Sequence, residues 1–360
     1  MRAFLDAELA HYLQPEPGLG MTGGGTSKEF SRRLGELGWL GMALPREYGG
    51  GDRSAVERFV LVEELLRRGA PVEHHWTADR QSGPTIARFG SHEQKARFLP
   101  AICRGELSFC IGMSEPDSGS DLAAVRSRAT KADGGWRLNG TKVWTSNAHR
   151  ADWMICLCRT TEAENRHSGL SQLLVDLHAP GVAVHPITFI DGTADFNEVV
   201  FDDVFIPDEL LLGTEGDGWA QNTSELSFER AGPERWLSPF LVVEHFLREH
   251  HDRLGEAATT FLGEVTARWF GLRQVSLAVA RMIDEGRAPS VESAMGKDLG
   301  TRFEQELMGT LQTLVEWEPS LDDPTLFGRL FARALLAMPS WTIRGGTSEV
   351  LQSVVSRGIR

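Results

Sequence analysis

The sequence predicts an α+β protein with an N-terminal helical domain at about residues 1–105, a central antiparallel β-domain at about 106–212 and a C-terminal four-helix bundle at about 213–360. Two observations support this prediction. Apolar residues recur at helical spacing in the first and last parts of the chain, and they alternate with polar residues in the middle part. A chain of 360 residues that is 41% hydrophobic is also long enough to bury a substantial core.

Capping residues predict where three N-terminal helices begin. Ser27 stands before a segment whose apolar residues share one helical face. Ser54 with Glu57, and Ser91 with Gln94, have the spacing of capping boxes, in which each side chain accepts a hydrogen bond from the other residue's backbone N–H. We therefore expect helices directly after these three serines.

The middle part contains the β-rich segments "GGWRLNGTKVWTSNA", "ADWMICLCRTT", "SQLLVDL" and "NEVVFDDVFIP". Asn139-Gly140, inside the first of them, is a turn signal. After residue 219, long amphipathic segments with short connections predict an up-down helical bundle. The sequence has neither a P-loop nor a G-x-G-x-x-G fingerprint between a predicted strand and a predicted helix, which disfavours nicotinamide and ATP chemistry.

Composition disfavours several kinds of partner. A formal net charge of −13 argues against nucleic acid or an anionic membrane as the main partner. The cysteines at 103, 110, 156 and 158 lack zinc-site pairs, and adjacent histidines are poorly placed to share a metal, so no metal site is expected. Without a signal-peptide core or an apolar stretch of about 18 residues, we expect buried thiols in a cytoplasmic protein that has no membrane span.

The segment "FCIGMSEPDSGSD", residues 109–121, leaves a predicted strand as a loop rich in small residues. Its hydroxyls and free N–H groups, including those of Ser114, Ser118, Gly119 and Ser120, suit a phosphate or a ring carbonyl. The alternative is an ordinary solvated loop.

The segment "GTKVWTSNA", residues 140–148, combines an aromatic face with hydroxyls. Trp144 stands beside Thr145 and Ser146, a combination that suits a planar heteroaromatic ligand. The alternative is a tryptophan of the core.

Five segments, in order, resemble motifs of the acyl-CoA dehydrogenase family. "MSEPDSGSD" is similar to its T-E-P-x-A-G-S-D loop, and "NGTKVWTSNAHRADW" to its N-G-x-K-x-W-I-T-N segment. "FLPAICRGE" resembles the lead into its sheet, "VFIPDELLLGTEGDGW" the exit, and "IRGGTSEVLQSVVSR" its terminal G-G-T-S-E-I-Q-R. The resemblance covers about residues 25–360 and implies the acyl-CoA dehydrogenase fold with FAD as cofactor.

The resemblance also implies cofactor contacts. Ser114 would face the pyrimidine edge of the flavin, Ser120 the pyrophosphate, and Trp144 with Ser146 the isoalloxazine, while Thr347 and Glu349 match terminal positions that touch FAD. The complete implied set is Met113, Ser114, Gly119, Ser120, Trp144, Ser146, Thr347, Glu349 and, as a remnant of another motif, Arg253.

The family reaction needs a carboxylate that removes the α-proton of an acyl thioester while the thioester carbonyl is polarised. At the position where many members carry this glutamate, the present chain has Gly345, whose N–H can still polarise the carbonyl. A second position used in the family corresponds to Glu229, followed by Arg230, which would position it or the substrate. The alternative for Glu229 is a solvated side chain on a helix face.

Two family segments are missing. The R-x-x-F-G run, whose arginine crosses a dimer interface to the cofactor phosphates, is replaced by "EHHDRLGEAAT", where Arg253 is the candidate remnant. The Q-x-x-G-G-x-G run that closes over the partner's FAD is not recognisable in "ELMGTLQTLVEWEPSLDD". Each lost donor would cost about 1 to 3 kcal/mol of cofactor binding.

The expected function is therefore FAD-dependent α,β-dehydrogenation of an acyl-CoA to the trans-2-enoyl-CoA, with electrons passed to an electron-transfer flavoprotein. The expected assembly is a homodimer or homotetramer, or a heterotetramer with a related subunit. One alternative is a subunit of a heteromeric acyl-CoA dehydrogenase, even a catalytically silent one. Another is a flavin oxidase or monooxygenase on the same fold.

Overall fold

The computed structural model describes residues 1–13, 24–230, 232–253, 255–315 and 317–359, without the side chains of residues 226–229 and 253. The chain divides into two compact units. The first, which we call the helical unit, comprises Met1–Gly25, Ser54–Pro71 and Leu226–Arg360. The second, the sheet unit, comprises Thr26–Arg53 and Val72–Glu225.

The sheet unit contains helices α2 (Lys28–Glu36), α4 (Glu73–Thr77), α5 (Gly83–Phe89) and α6 (His92–Cys103). Helices α2 and α6 begin where the sequence predicts. The Phe30 N–H donates to Ser27 Oγ over 3.1 Å at the start of α2, and the Ser91/Gln94 capping box precedes α6. A π-helical turn, Ala78–Ser82, connects α4 to α5.

The helical unit contains the other helices. They are α1 (Arg2–Glu8), α3 (Ala55–Arg67), α8 (Phe240–His250), α9 (Glu256–Asp284), α10 (Ser290–Leu314), α11 (Leu326–Trp341) and α12 (Ser348–Gly358); α7 runs from Gly218 to Glu229. The predicted Ser54/Glu57 capping box precedes α3. Helix α10 packs against α9, α11 and α12, and α11 packs against α8. The helical character predicted for the last part of the chain is confirmed.

The predicted central β-region is confirmed as one sheet. Its strands are β1 (Phe109–Gly112), β2 (Arg128–Ala132), β3 (Gly135–Ser146), β4 (Trp153–Arg159), β5 (Leu170–Asp176), β6 (Val182–Ile187), β7 (Phe196–Pro207) and β8 (Leu211–Leu212). The spatial order is β6-β7-β3-β2-β4-β5-β8, and β1 pairs with β4. Most pairs are antiparallel as expected, but β1 lies parallel to β4, and β2 also pairs with β4 in parallel through Arg128 and Arg159. A long connection between β1 and β4 makes their parallel pairing possible.

The core of the sheet unit lies between the sheet and helices α5 and α6. Ile86 of α5, and Phe98 and Ile102 of α6, are completely buried against strand residues. All four cysteines are free and buried, as predicted. Burial raises the pKa of the Cys156 thiol to about 11, so it is protonated at neutral pH.

The turn predicted at Asn139-Gly140 is wrong, because β3 continues through both residues. The pairing of β3 with β7 shifts register between Leu138 and Gly140. Gly140 has φ 145°, and a Cβ there would lie 2.3 Å from Ser127 Oγ. The glycine therefore forms a bulge under close contact rather than a hairpin turn.

Across the described ranges, no helix has the length and apolarity needed to cross a membrane.

Candidate active site

Trp144 is presented on the surface of the sheet unit by a strained backbone. The register of β3 against β7 shifts between Lys142 and Thr145, and Trp144 within this irregularity has φ 59°. Its side chain is 56% exposed, and its ring lies nearly perpendicular to the Phe196 ring at a centroid distance of 6.4 Å. The alternative of a core tryptophan is therefore wrong. Backbone strain that exposes a large aromatic ring is typical of a binding site.

Polar groups next to this ring are available to a ligand. Thr145 is 1% exposed, and its Oγ1 has no hydrogen-bond partner among the described residues. Ser146, the last residue of β3, is half-buried. A buried hydroxyl without a partner is costly, so a ligand or water that bonds to it would be stabilising.

The loop after β1 is ordered by its own hydrogen bonds. Glu115 and Ser118 exchange backbone hydrogen bonds of 2.8 and 3.0 Å, and the buried Ser118 hydroxyl donates to Asp121 O over 2.8 Å. Ser118 is thus a structural residue of the loop. Gly119 and Ser120 are exposed, and their backbone N–H groups have no acceptor in the part of the chain that the structure describes.

A buried ion pair joins this loop to β3. The Lys142 ammonium, 0% exposed, donates to Glu115 Oε1 over 2.8 Å and to Met113 O over 3.0 Å. The Val143 N–H donates to Ser114 O over 2.9 Å. The two segments singled out in the sequence are therefore adjacent in the sheet unit.

Glu115 is the centre of this connection. Its carboxylate also accepts hydrogen bonds from the Arg126 N–H (2.6 Å) and the Ser127 N–H (2.9 Å). Burial alone would raise the pKa of Glu115, but the Lys142 ammonium and these donors hold it below its usual value. The carboxylate is therefore ionised, and the loop is anchored, throughout the neutral pH range.

The terminal motif forms the loop between α11 and α12 in the helical unit. Gly345 and Gly346 have φ of 69° and 100°, a backbone conformation that glycine adopts readily. Thr347 caps α12, with its hydroxyl accepting from the Val350 N–H over 3.4 Å. Glu349 is exposed in the first turn of that helix. Arg230 Nε donates to Gly345 O over 3.2 Å, which places Arg230 at this loop.

Two candidate residues lie outside the described side chains. Glu229 is the last residue of α7, and Arg253 ends a short helical turn after α8. The direction of either side chain is not described, so the roles expected for them stay predictions.

Glu225 is a candidate that the sequence analysis missed. It lies one turn before Glu229 in α7 and is 6% exposed. Gln81 Nε2 donates to its Oε1 over 3.2 Å, while Oε2 has no partner among the described residues. Burial raises the pKa of Glu225 to about 7, although Arg80 and Gln81 oppose the shift. A carboxylate with a pKa near neutrality has the properties of a general base.

The sheet unit fits the FAD expected from the resemblance. The exposed indole of Trp144 offers a face to a planar ring. The Thr145 hydroxyl, which has no partner among the described residues, offers a polar contact. The amides of Gly119 and Ser120 offer hydrogen-bond donors for a phosphate. A Cβ built on Gly119 would contact nothing within 4 Å, so the loop there leaves room. No group of three or more metal-ligating side chains occurs among the residues described.

Family models match most of the first two thirds of the chain. The model described as "Acyl-CoA dehydrogenase, N-terminal domain" matches residues 1–106. The model described as "Acyl-CoA dehydrogenase, middle domain" matches residues 110–204, which include both loops of the sheet unit.

Curated relatives of the chain include two proteins of Mycobacterium tuberculosis. Acyl-CoA dehydrogenase IpdE1 is 36% identical over 341 residues, covering 92% of this chain and 87% of the relative. Acyl-CoA dehydrogenase FadE34 is 35% identical over 332 residues, covering 90% of this chain. The chain spans 44% of the length of FadE34.

A solved structure shares the fold over most of the chain. This structure, described as "Tcur3481-Tcur3483 steroid ACAD", superposes with a TM-score of 0.84 at 27% sequence identity. The superposition covers 95% of this chain and 90% of the other.

Replacement of one member of the buried ion pair tests whether the pair anchors the loop. We expect Lys142→Met to lower the free energy of unfolding by about 3 to 5 kcal/mol, because it leaves a buried carboxylate unpaired. Lys131→Met, which removes an exposed ion pair with Asp208, should cost less than about 1 kcal/mol. Denaturant unfolding of both variants makes the comparison, and a smaller loss for Lys142→Met than for Lys131→Met would contradict the anchoring role.

The raised pKa of Glu225 predicts a pH effect on stability. Between about pH 4.5 and 7 the folded state retains a proton on Glu225 that the unfolded state has lost, so this group makes stability fall as pH rises. Glu225→Gln removes that loss, and its stability relative to wild type should increase by on the order of 2 to 3 kcal/mol from pH 5 to pH 8. Denaturant unfolding at the two pH values measures it. Glu264→Gln on α9 serves as the exposed control, and parallel pH curves for all three proteins would be inconsistent with a buried, late-titrating Glu225.

Proposed function

The chain belongs to the acyl-CoA dehydrogenase family and is an FAD-dependent enzyme of it, and we propose that it converts an acyl-CoA thioester to the trans-2-enoyl-CoA and passes the electrons to an electron-transfer flavoprotein. The observation that carries the proposal is the joining of the two loops that match the family's flavin motifs. Lys142 contacts Met113 and Glu115, and Val143 contacts Ser114. These contacts support one continuous surface for the flavin ring and its phosphates.

FAD, when bound, accepts the β-hydrogen of the substrate together with its electron pair. In this proposal Trp144 and Ser146 would orient the isoalloxazine. Met113 and Ser114 would contact its polar edge, and the amides of Gly119 and Ser120 would bind the pyrophosphate. Thr347 and Glu349 contribute from the terminal loop. The protein's contribution is binding, orientation and exclusion of water.

The chain's own chemical contribution is removal of the α-proton. Glu229 is the proposed acceptor, and Arg230 would hold the loop against which the thioester lies, through its hydrogen bond to Gly345 O. The N–H of Gly345 would polarise the thioester carbonyl, since this contact needs no side chain.

The substrate is proposed to carry a bulky or branched acyl group. Glycine at position 345 occupies the place where other family members have a glutamate side chain, so this chain has more room at that point. The similar structure named Tcur3481-Tcur3483 is described as a steroid ACAD. A steroid-derived acyl group is therefore the proposed substrate class.

The alternative assembly is a heteromer in which this chain supplies one part of the FAD site. Two phosphate-binding segments of the family are not recognisable in its sequence, which would weaken FAD binding by a homodimer. The similar structure is named as a pair of components, Tcur3481-Tcur3483. In such a pair this chain would be either the subunit with the proton acceptor or a silent one.

Substitution of the proposed proton acceptor tests the mechanism. We expect Glu229→Gln to keep FAD but to bleach about 100-fold or more slowly with substrate, since general-base catalysis contributes factors of this size. Anaerobic stopped-flow measurement of flavin absorbance gives the rate, with Glu264→Gln as an exposed control. If Glu225→Gln abolishes bleaching and Glu229→Gln does not, the acceptor lies one helical turn earlier than proposed.

The flavin content of the purified chain tests the assembly. The heteromer predicts a nearly colourless chain when it is purified alone and about one FAD per pair when it is produced with a related subunit. Flavin absorbance relative to protein concentration measures this. One tightly bound FAD per chain in the absence of a partner would rule out the heteromer and leave the dehydrogenase proposal intact.

A further inference from the structure

The terminal loop of the helical unit presents a run of unused hydrogen-bond donors. The backbone N–H groups of Gly345, Gly346 and Thr347 have no acceptor within the described ranges of the chain. The two glycines are held with positive φ, so successive N–H groups are available along the loop.

Two cations bind the carbonyl groups of the same peptides. Arg230 Nε donates to Gly345 O over 3.2 Å, and Lys297 Nζ donates to Gly346 O over 2.7 Å. Each carbonyl shares a peptide group with the next residue's N–H, so these bonds withdraw electron density from the N–H groups of Gly346 and Thr347. Hydrogen bonds in such chains strengthen one another.

Lys297 is the less expected of the two cations. It lies inside α10, is 0% exposed, and also donates to Thr342 O over 3.1 Å. Among the described side chains no carboxylate is within ion-pair distance of its ammonium. Two carboxylates on the same helix have cations of their own: Asp298 pairs with Arg302 at 2.6 Å, and Glu304 with Arg344 at 3.0 Å.

The charged groups that act on Lys297 come from every surrounding element. They are Arg230 after α7, Arg235 in the following turn, Asp298 on α10, Arg344 after α11 and Glu349 on α12. Burial, and then the three arginines, lower the pKa of Lys297 to about 7, while Asp298 opposes the shift. A buried cation in such surroundings is costly. Its contacts with two carbonyls of a single loop indicate that the charge holds this loop.

We propose that Lys297 is a positioning residue for the dehydrogenation, which polarises the Gly346–Thr347 peptide and holds the loop that carries the Gly345 N–H, so that the loop's N–H groups stabilise negative charge on the thioester oxygen. This inference rests on the proposed function. The step concerned is a proton transfer only. The α-carbon–hydrogen bond breaks, an O–H bond forms on the carboxylate acceptor, and the remaining electron pair delocalises onto the thioester oxygen.

The test separates proton transfer from the redox step. The probe is an acyl-CoA with sulfur in place of the β-carbon, which can lose its α-proton but has no β-hydrogen to transfer. Mass spectrometry follows exchange of its α-hydrogens in deuterated buffer, and infrared spectroscopy follows the carbon-13-labelled thioester carbonyl band of the bound probe. The full chain with FAD is used, together with its related subunit if FAD uptake requires one.

We expect Lys297→Met to keep FAD and to slow exchange of the probe's α-hydrogens about 10-fold or more at pH 6. The carbonyl band of the bound probe should return most of the way to its frequency in the free probe. Lys28→Met removes an exposed lysine and should behave as wild type. Unchanged exchange and an unchanged band in Lys297→Met would overturn the role of Lys297. A wild-type protein that binds the probe but shows neither exchange nor a band shift would instead overturn the proposed function, and this inference with it.

A second measurement does not depend on the stability of the lysine variant. The measurement uses a Glu225→Gln background, which removes the other described group whose pKa is shifted to about 7. The carbonyl band shift should decrease as pH rises from 6 to 8.5, because the Lys297 ammonium loses its proton over this interval. A band that does not change over the same interval would overturn the proposal.

Discussion

The buried ion pair between Lys142 and Glu115 is the contact on which the sheet part of the site depends. It ties the loop after β1 to the end of β3. The loop contributes exposed amides at Gly119 and Ser120, and β3 contributes the exposed ring of Trp144. The charge pair, with its full set of donors, holds the two segments together, and the Val143 N–H donates to Ser114 O beside it.

The terminal loop of the helical unit is also held by charged side chains, in this case by two cations. Two adjacent glycines take positive φ, and successive N–H groups of this loop have no acceptor among the described residues. Arg230 and Lys297 hold the carbonyl side of these peptides. With glycine at position 345, the loop has no carboxylate there to accept a proton, but it has several N–H groups that can donate hydrogen bonds. This is why the proposed acceptor has to come from another element, α7.

Local chemistry made much of the fold predictable from the sequence. Ser27, Ser54 and Ser91 cap helices as expected because capping depends on residues only three positions apart. The prediction of a turn at Asn139-Gly140 was wrong because the glycine is required by close packing against Ser127, which is distant in the sequence. The burial of Glu225 and Lys297 depends on packing between distant segments, and no local pattern marks it. The exposure of Trp144 follows from a register shift, which sequence alternation does not show.

The segments around 113–120 and 143–146 are proposed to form one flavin surface. Hydrogen–deuterium exchange of the protein with and without FAD tests this surface, because amide protection reports binding segment by segment. We expect FAD to protect the peptides containing Gly119–Ser120 and Trp144–Ser146 together, and Lys142→Met to abolish protection of both. If the absorbance spectrum shows bound flavin while either peptide exchanges as fast as it does without FAD, the two segments do not form one flavin surface.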